Sequence, residues 1–142
     1  LLKLNINVVL SSEFKDVNDH TDILLVNSYG EAAKFYNISK YVFLGKSLVE
    51  SLIKDSGQNP IEPARLGCKI LHGPHVSNFI EIYDHLKKLE ITRQINSSNE
   101  LSLLLVEEFK KDKPKNQEIA SKIENYGENI LNNVIAELKK YI

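Results

Sequence analysis

The sequence predicts an α/β domain: short parallel strands alternating with helices that cover both faces of an open, doubly wound sheet. Three observations carry this. Compact apolar runs recur between about residue 6 and residue 95, each bounded by Asp, Asn, Ser or Gly and too short for a core helix. Helix-start signals and helical apolar spacing fall between those runs. A chain of 142 residues, 42% apolar and 26% charged, suits one globular domain and excludes a disordered composition.

The elements follow in order. Ile6–Leu10 reads as a buried strand ended by Ser11-Ser12, and polar Glu13–Asp22 as a loop. Ile23–Val26 is the second strand, and Gly30 to Lys40, with Ala32, Ala33, Phe35 and Tyr36, a short helix. Tyr41–Leu44 is a third strand stopped by Gly45. Glu50–Gly57 reads as a loop with room for one helical turn. Asn59-Pro60-Ile61-Glu62 is a helix start: a favoured N-cap, proline where no N–H is needed, and Glu three residues after the cap. That helix ends near Gly67, and Lys69–His72 is the fourth strand. Asn78-Phe79-Ile80-Glu81 repeats the cap pattern and opens a helix to about Leu89, with Phe79, Ile82, Tyr83, Leu86 and Leu89 at helical spacing. Thr92–Ile95 is the fifth strand. Ser97 and Glu100 form a capping box for a helix to about Lys111. Lys110–Lys115, containing Pro114, reads as a charged connector. From residue 115 to 142 the chain is a helical tail, with Ile119, Ile123, Ile130, Leu131, Val134, Ile135 and Leu138 at three- and four-residue steps and Gly127 as a candidate break. Residues 1–142 form a single domain on this reading.

Composition excludes several function classes. Eighteen basic against nineteen acidic residues give a net charge of −1, which is no footprint for nucleic acid. A lone cysteine, Cys68, excludes a disulfide framework, and no CxxC or His-rich cluster implies a metal. The opening residues lack the cleavage site of a signal peptide. The longest apolar runs are four residues, far below the ~20 that span a bilayer, so a soluble piece is expected. There is no methionine, not even an initiator, and Leu1-Leu2-Lys3-Leu4 opens mid-stride, which reads as a piece of a longer protein.

Ligands of open α/β sheets bind beyond the carboxyl ends of the strands. Those ends are Asn27–Glu31, Gly45-Lys46-Ser47 and Gly73-Pro74-His75, with the helix start Asn59–Glu62 following the long third loop. Glycine, small polar and charged residues gather there, as a phosphorylated ligand would require. No GxGxxG, GxxxxGK[ST] or GxSxG is present, which disfavours a dinucleotide-dependent dehydrogenase, a P-loop enzyme and a nucleophile-elbow hydrolase.

The motifs are more specific in series. Ser56-Gly57-Gln58-Asn59-Pro60-Ile61-Glu62-Pro63-Ala64, then Leu66-Gly67, Ile70-Leu71-His72-Gly73-Pro74-His75 and Asn78-Phe79-Ile80-Glu81-Ile82 resemble the C-terminal half of 3-deoxy-D-manno-octulosonic acid (Kdo) transferases. Upstream, Asp22–Val26 with Gly30-Glu31 and Tyr36, and Val42–Val49, resemble the same family in the same order, so the likeness runs from about residue 20 to 95. The resemblance implies a Rossmann-like, donor-binding half of a GT-B glycosyltransferase of lipopolysaccharide biosynthesis. Such an enzyme moves Kdo from CMP-Kdo to a lipid A precursor at the cytoplasmic face of the inner membrane. The other half would carry the membrane anchor, the acceptor surface and the catalytic base, so this half is expected to be inactive alone and to hold no catalytic residue. It implies no metal or other cofactor. It places Glu62 on the ribose hydroxyls, with Asn59, Pro60, Gln58, Gly57, Gly45, Lys46, Ser47, Gly73, Pro74 and His75 lining the donor cleft and Gly30 and Glu31 at the neighbouring strand end. It also implies a central strand preceding Leu1, leaving an open sheet position or one filled by another chain.

The chain departs from the family at two points of the cleft. Many members have Gly-Gly-His-Asn-Pro where this chain has Ser56-Gly57-Gln58-Asn59-Pro60, and two glycines where it has Gly45-Lys46. Lys46 either contacts phosphate or points to solvent. Plainer readings stand beside the others: Glu62 as half of a capping box, Glu31 as an electrostatic aid to a helix start, Gly73-Pro74 as a turn, His72 as a structural strand residue, Cys68 as a buried small residue, His20 and His85 as surface residues. The rival functions are a GT-B transferase or epimerase using a UDP-sugar, and a non-catalytic binding domain of the same fold.

Overall fold

The computed structural model describes residues 5–111 and 117–141. The strands are β1 (Val8–Leu10), β2 (Ile23–Leu25), β3 (Tyr41–Leu44), β4 (Lys69–His72) and β5 (Thr92–Gln94). The helices are α1 (Ala32–Ile38), α2 (Ile61–Arg65), α3 (Ile80–Lys88), α4 (Ser98–Phe109) and α5 (Gln117–Leu138). Every strand pairing is parallel, as the alternation of strands and helices requires. The chain divides into two compact units, Leu1–Ala32 and Ala33–Ile142.

In the first unit β1 and β2 form a two-stranded sheet with Val8 opposite Ile23 and Leu10 opposite Leu25. The polar stretch after β1 is not simply a loop. Ser11–Asp16 winds into a 3₁₀ turn, and Ser11 Oγ donates to Asn27 Oδ1 at 2.9 Å, tying the two strand ends together.

In the second unit the sheet order is β3-β4-β5, with β3 and β5 as its edges. The register sets Tyr41, Phe43, Lys69, Leu71 and Arg93 on one face and Val42, Leu44, Ile70 and His72 on the other. The second face buries Leu44 and Ile70 against Ala64 of α2, Tyr83 and Leu86 of α3, and Ile119 and Ile123 of α5. The first packs Leu71 and Ile95 on Leu104 of α4. Helices therefore cover both faces, as predicted. Tyr41 fixes α4 to the sheet by donating its hydroxyl to the Glu108 carboxylate; burial first, then that bond, pushes the phenol up to about 12.

Cap chemistry explains where the expected boundaries moved. Ser97 caps α4 as read, accepting from Glu100 N at 3.1 Å, while Glu100 takes the N–H of Asn96. The Asn78–Glu81 pattern makes no side-chain cap; a 3₁₀ turn, Ser77–Phe79, leads into α3 instead. Glu50–Asp55 is likewise a 3₁₀ turn. Most of the expected connector at 110–115 lies outside the described residues. Helix α5 runs through Gly127 without a break. Its isoleucine stripe is core only at Ile119 and Ile123; Ile130, Leu131, Val134, Ile135 and Leu138 are exposed. His85 is not a free surface residue, because its ring stacks on Tyr126 of α5 at 3.7 Å. Cys68 is buried as expected, its thiol donating to the carbonyls of Tyr36 and Ser39 and so holding the end of α1.

This division of the core fixes an expectation. Ile70→Ala should cost about 2–5 kcal/mol in urea unfolding, because the site is fully closed. Val134→Ala, on the exposed half of α5, should change stability by no more than about 0.5 kcal/mol.

Candidate functional site

Three segments meet at the carboxyl end of the β3-β4-β5 sheet: residues 45–48 after β3, 56–60 before α2, and 73–77 after β4. Ser47 is their centre. It is fully buried; its Oγ donates to Leu44 O at 2.6 Å and accepts from Gly73 N at 2.9 Å, while its carbonyl accepts from His75 N at 2.9 Å. A buried hydroxyl with both roles satisfied stabilises its surroundings, whereas an unsatisfied one would cost.

The close approach depends on Gly73. A Cβ there would lie 2.1 Å from Ser47 O, so only glycine lets the two loops touch. Gly57 joins the third segment. Its N–H donates to Lys46 O at 3.2 Å, its φ of +86° suits glycine, and a Cβ would press Val76 Cα at 3.1 Å. Ser56 and Ser77 share a hydroxyl bond of 2.7 Å, and Ser77 N donates to Ser56 Oγ. From below, Tyr83 of α3 donates its hydroxyl to Gln58 O at 3.0 Å, and burial raises its pKa.

On this base Lys46, Gln58, Asn59, Glu62 and Pro74 are exposed, and His75 is half-buried. Asn59 Oδ1 accepts from Ile61 N at 3.0 Å, so Asn59 holds the turn into α2, but the cap position itself falls on Pro60, one residue later than the Asn59 cap expected. The return bond of a capping box is absent. Among the described residues, neither a hydrogen bond nor an ion pair engages the Glu62 carboxylate. It is near enough to Tyr36 to add its charge to burial in raising that phenol's pKa. Lys46 holds φ +56°, a left-handed conformation that costs a non-glycine residue about 1–2 kcal/mol.

The structure thus joins Lys46, Ser47, Gly57, Gln58, Gly73 and His75 directly, with Gly45, Asn59, Pro60, Glu62 and Pro74 adjoining them in sequence. Gly30, at φ +79°, and Glu31, which accepts from Ser28 Oγ, belong to the first unit. Sequence reasoning missed Ser56, Ser77 and Tyr83 as supports of this cluster. Ser56 opens the Ser56–Ala64 motif, and Tyr83 reads only as part of an apolar helix face. Sequence reasoning also left Tyr36 off the list of site residues, although its phenol feels the charge of Glu62.

Three cavities among the described residues lie elsewhere. One of about 390 Å³, at the amino ends of the strands, is lined by Tyr41, Lys69, Thr92, Arg93 and Glu108. Another, of about 580 Å³, lies along α5 and α2, and a third, of about 440 Å³, beside β3 and α4. The first is at the wrong end of the sheet for a ligand of this architecture. No group of three or more metal-ligating side chains occurs among the described residues. No helix among them is long and apolar enough to cross a membrane.

His72 lies under the cluster. It is buried, its Nδ1 meets Gly73 O at 2.7 Å, and its ring packs on Tyr83 at 4.5 Å. Burial lowers its pKa below 6.5, against the weaker opposing effect of the Gly73 carbonyl. The unfolded chain then binds more protons between the two pKa values, so this residue's stabilisation is full above about pH 6.5 and falls as pH drops through that value. The slope from one group is at most about 1.4 kcal/mol per pH unit. Thermal melts from pH 7.5 to 5.5 should show a decline that His72→Gln flattens. Gly73→Ala should cost at least about 2 kcal/mol in the same melts, unlike Gly45→Ala, where a Cβ meets open space.

Comparison with known proteins agrees with this architecture. No family model matches the chain. It is 36% identical over 81 residues to the 3-deoxy-D-manno-octulosonic acid transferase of Haemophilus influenzae, covering 57% of this chain and 18% of that protein. It is 30% identical over 126 residues to the enzyme of the same name from Rickettsia bellii, covering 86% of this chain and 28% of that protein. The chain therefore spans less than a third of the length of these curated relatives. Among solved structures it superposes on the C-terminal CMP-Kdo binding domain of WaaA from Acinetobacter baumannii with a TM-score of 0.69 and 20% identity, covering 85% of this chain and 61% of that one. By sequence the chain is thus related to part of the 3-deoxy-D-manno-octulosonic acid transferases, and its fold is similar to that of the C-terminal domain of WaaA.

Proposed function

We propose that this chain binds CMP-Kdo and forms the donor-binding part of a Kdo transferase. One observation supports this above the rest: an unengaged carboxylate, Glu62, beside a pre-built rim at the carboxyl end of the sheet. A carboxylate is an acceptor only, which matches the paired hydroxyls of a ribose, and such charge-assisted bonds are about twice as strong as neutral ones. Ser47, Gly57 and Gly73 hold the rim in shape before ligand arrives, which lowers the ordering cost of binding. Asn59 fixes the turn that carries Glu62. Gln58 and His75 supply polar edges, and Gly45 and Pro74 keep the rim open.

In the longer enzyme this part would hold the donor while Kdo passes to a lipid A precursor at the cytoplasmic face of the inner membrane. The bond from the anomeric carbon to the phosphate breaks and CMP leaves. The residues here bind and orient the donor, and none of them is assigned as the base. This part alone should therefore bind donor without turning it over.

Calorimetric titration of the chain with CMP and with UDP tests the reading. CMP should bind the more tightly, and Glu62→Ala should weaken it by about tenfold or more, given roughly 1.5–3 kcal/mol for a hydrogen bond to a charged group. Tighter binding of UDP would point to a UDP-sugar enzyme. No nucleotide binding, or binding indifferent to Glu62→Ala, would point to a non-catalytic domain.

A further inference from the structure

We infer that Lys46 is the cation that pairs with the phosphate of the nucleotide donor in this chain. The inference rests on the donor-site reading above and extends it to one residue. Two non-glycine residues among those described have positive φ, Lys46 and Glu90. Glu90 has a local reason: it follows the end of α3, its N–H donates to Lys87 O, and a left-handed residue is an ordinary way to end a helix. Lys46 follows a strand and terminates no helix. Its carbonyl is held by Gly57 N–H and its successor Ser47 is bonded on both sides, so the neighbouring loops impose the conformation. An uncommon backbone state held this firmly points to what the side chain does there.

Charge supports the same assignment. The donor carries a phosphodiester and a sugar carboxylate, and Glu62 adds a third negative charge at the rim. Among the residues of the rim, Lys46 is the one permanently cationic side chain. It is exposed, and among the described residues its ammonium has no ion-pair partner.

The test is titration of the 142-residue chain with CMP and with cytidine, followed by NMR. Lys46→Gln should weaken CMP about tenfold and leave cytidine unchanged, and Lys46→Arg should retain most of the CMP affinity. Lys46→Gly should lose CMP affinity as Lys46→Gln does while melting no lower than wild type, since glycine accepts this φ freely. Equal CMP affinity in wild type and Lys46→Gln, with Glu62→Ala still weakening CMP, would overturn the inference and leave the donor site standing. So would an equal loss of CMP and cytidine affinity in Lys46→Gln, which marks a structural role. Failure of the wild type to bind either ligand would remove the donor-site reading, and the inference with it.

Discussion

The approach of Gly73 to the Ser47 backbone is the constraint on which the rest of the site depends. It brings the loop after β4 against the loop after β3, and it is available only where no Cβ intervenes. The Ser47 hydroxyl then satisfies the end of β3 through Leu44 O and the start of the next loop through Gly73 N. With Ser47 fixed, the backbone on either side of it is fixed too. Gly57 bonds to the Lys46 carbonyl and His75 to the Ser47 carbonyl. A rim that could have been three independent loops becomes one rigid edge, and its exposed side chains inherit defined positions.

Beneath that edge the core is built to hold it from one side. Tyr83 and His72 sit ring to ring under the loops, with Tyr83 reaching up to the Gln58 carbonyl and His72 to that of Gly73. Both are buried polar side chains, Tyr83 within the apolar cluster and His72 packed on its ring, and both bond to the backbone of the site. Core packing and site geometry are therefore coupled: a change that moves α3 moves the rim. Helix α5 contributes to the same cluster through Ile119 and Ile123 only, which is why the remainder of its apolar stripe stays at the surface.

Much of this was legible in the residues. The strands Tyr41–Leu44 and Lys69–His72 were read to the residue, because Gly45 and Gly73 end them and each carries apolar residues at its centre. The rim could be located from strand ends alone, since parallel sheets place their ligands there. The cap at Ser97 was legible because its chemistry is local. The cap at Asn78 was not, because the chain entering α3 is already committed by the Ser56–Ser77 bond to a 3₁₀ turn. No window of sequence contains both serines' neighbours at once.

Local patterns in the sequence thus determined the parallel α/β class, the order of elements and which strand ends carry polar residues. Periodicity and turn chemistry act over a few residues, and a few residues suffice to read them. Only the tertiary structure decided that Ser47 is a buried hub, that Tyr83 and His72 support the rim, that Glu62 stands clear of any cap bond, and that Lys46 adopts a left-handed backbone. Most of these depend on contacts between segments well separated in sequence, such as Ser47 with Gly73, Tyr83 with Gln58 and Lys46 with Gly57. They follow from which loops the sheet brings together, and no spacing within one loop encodes them.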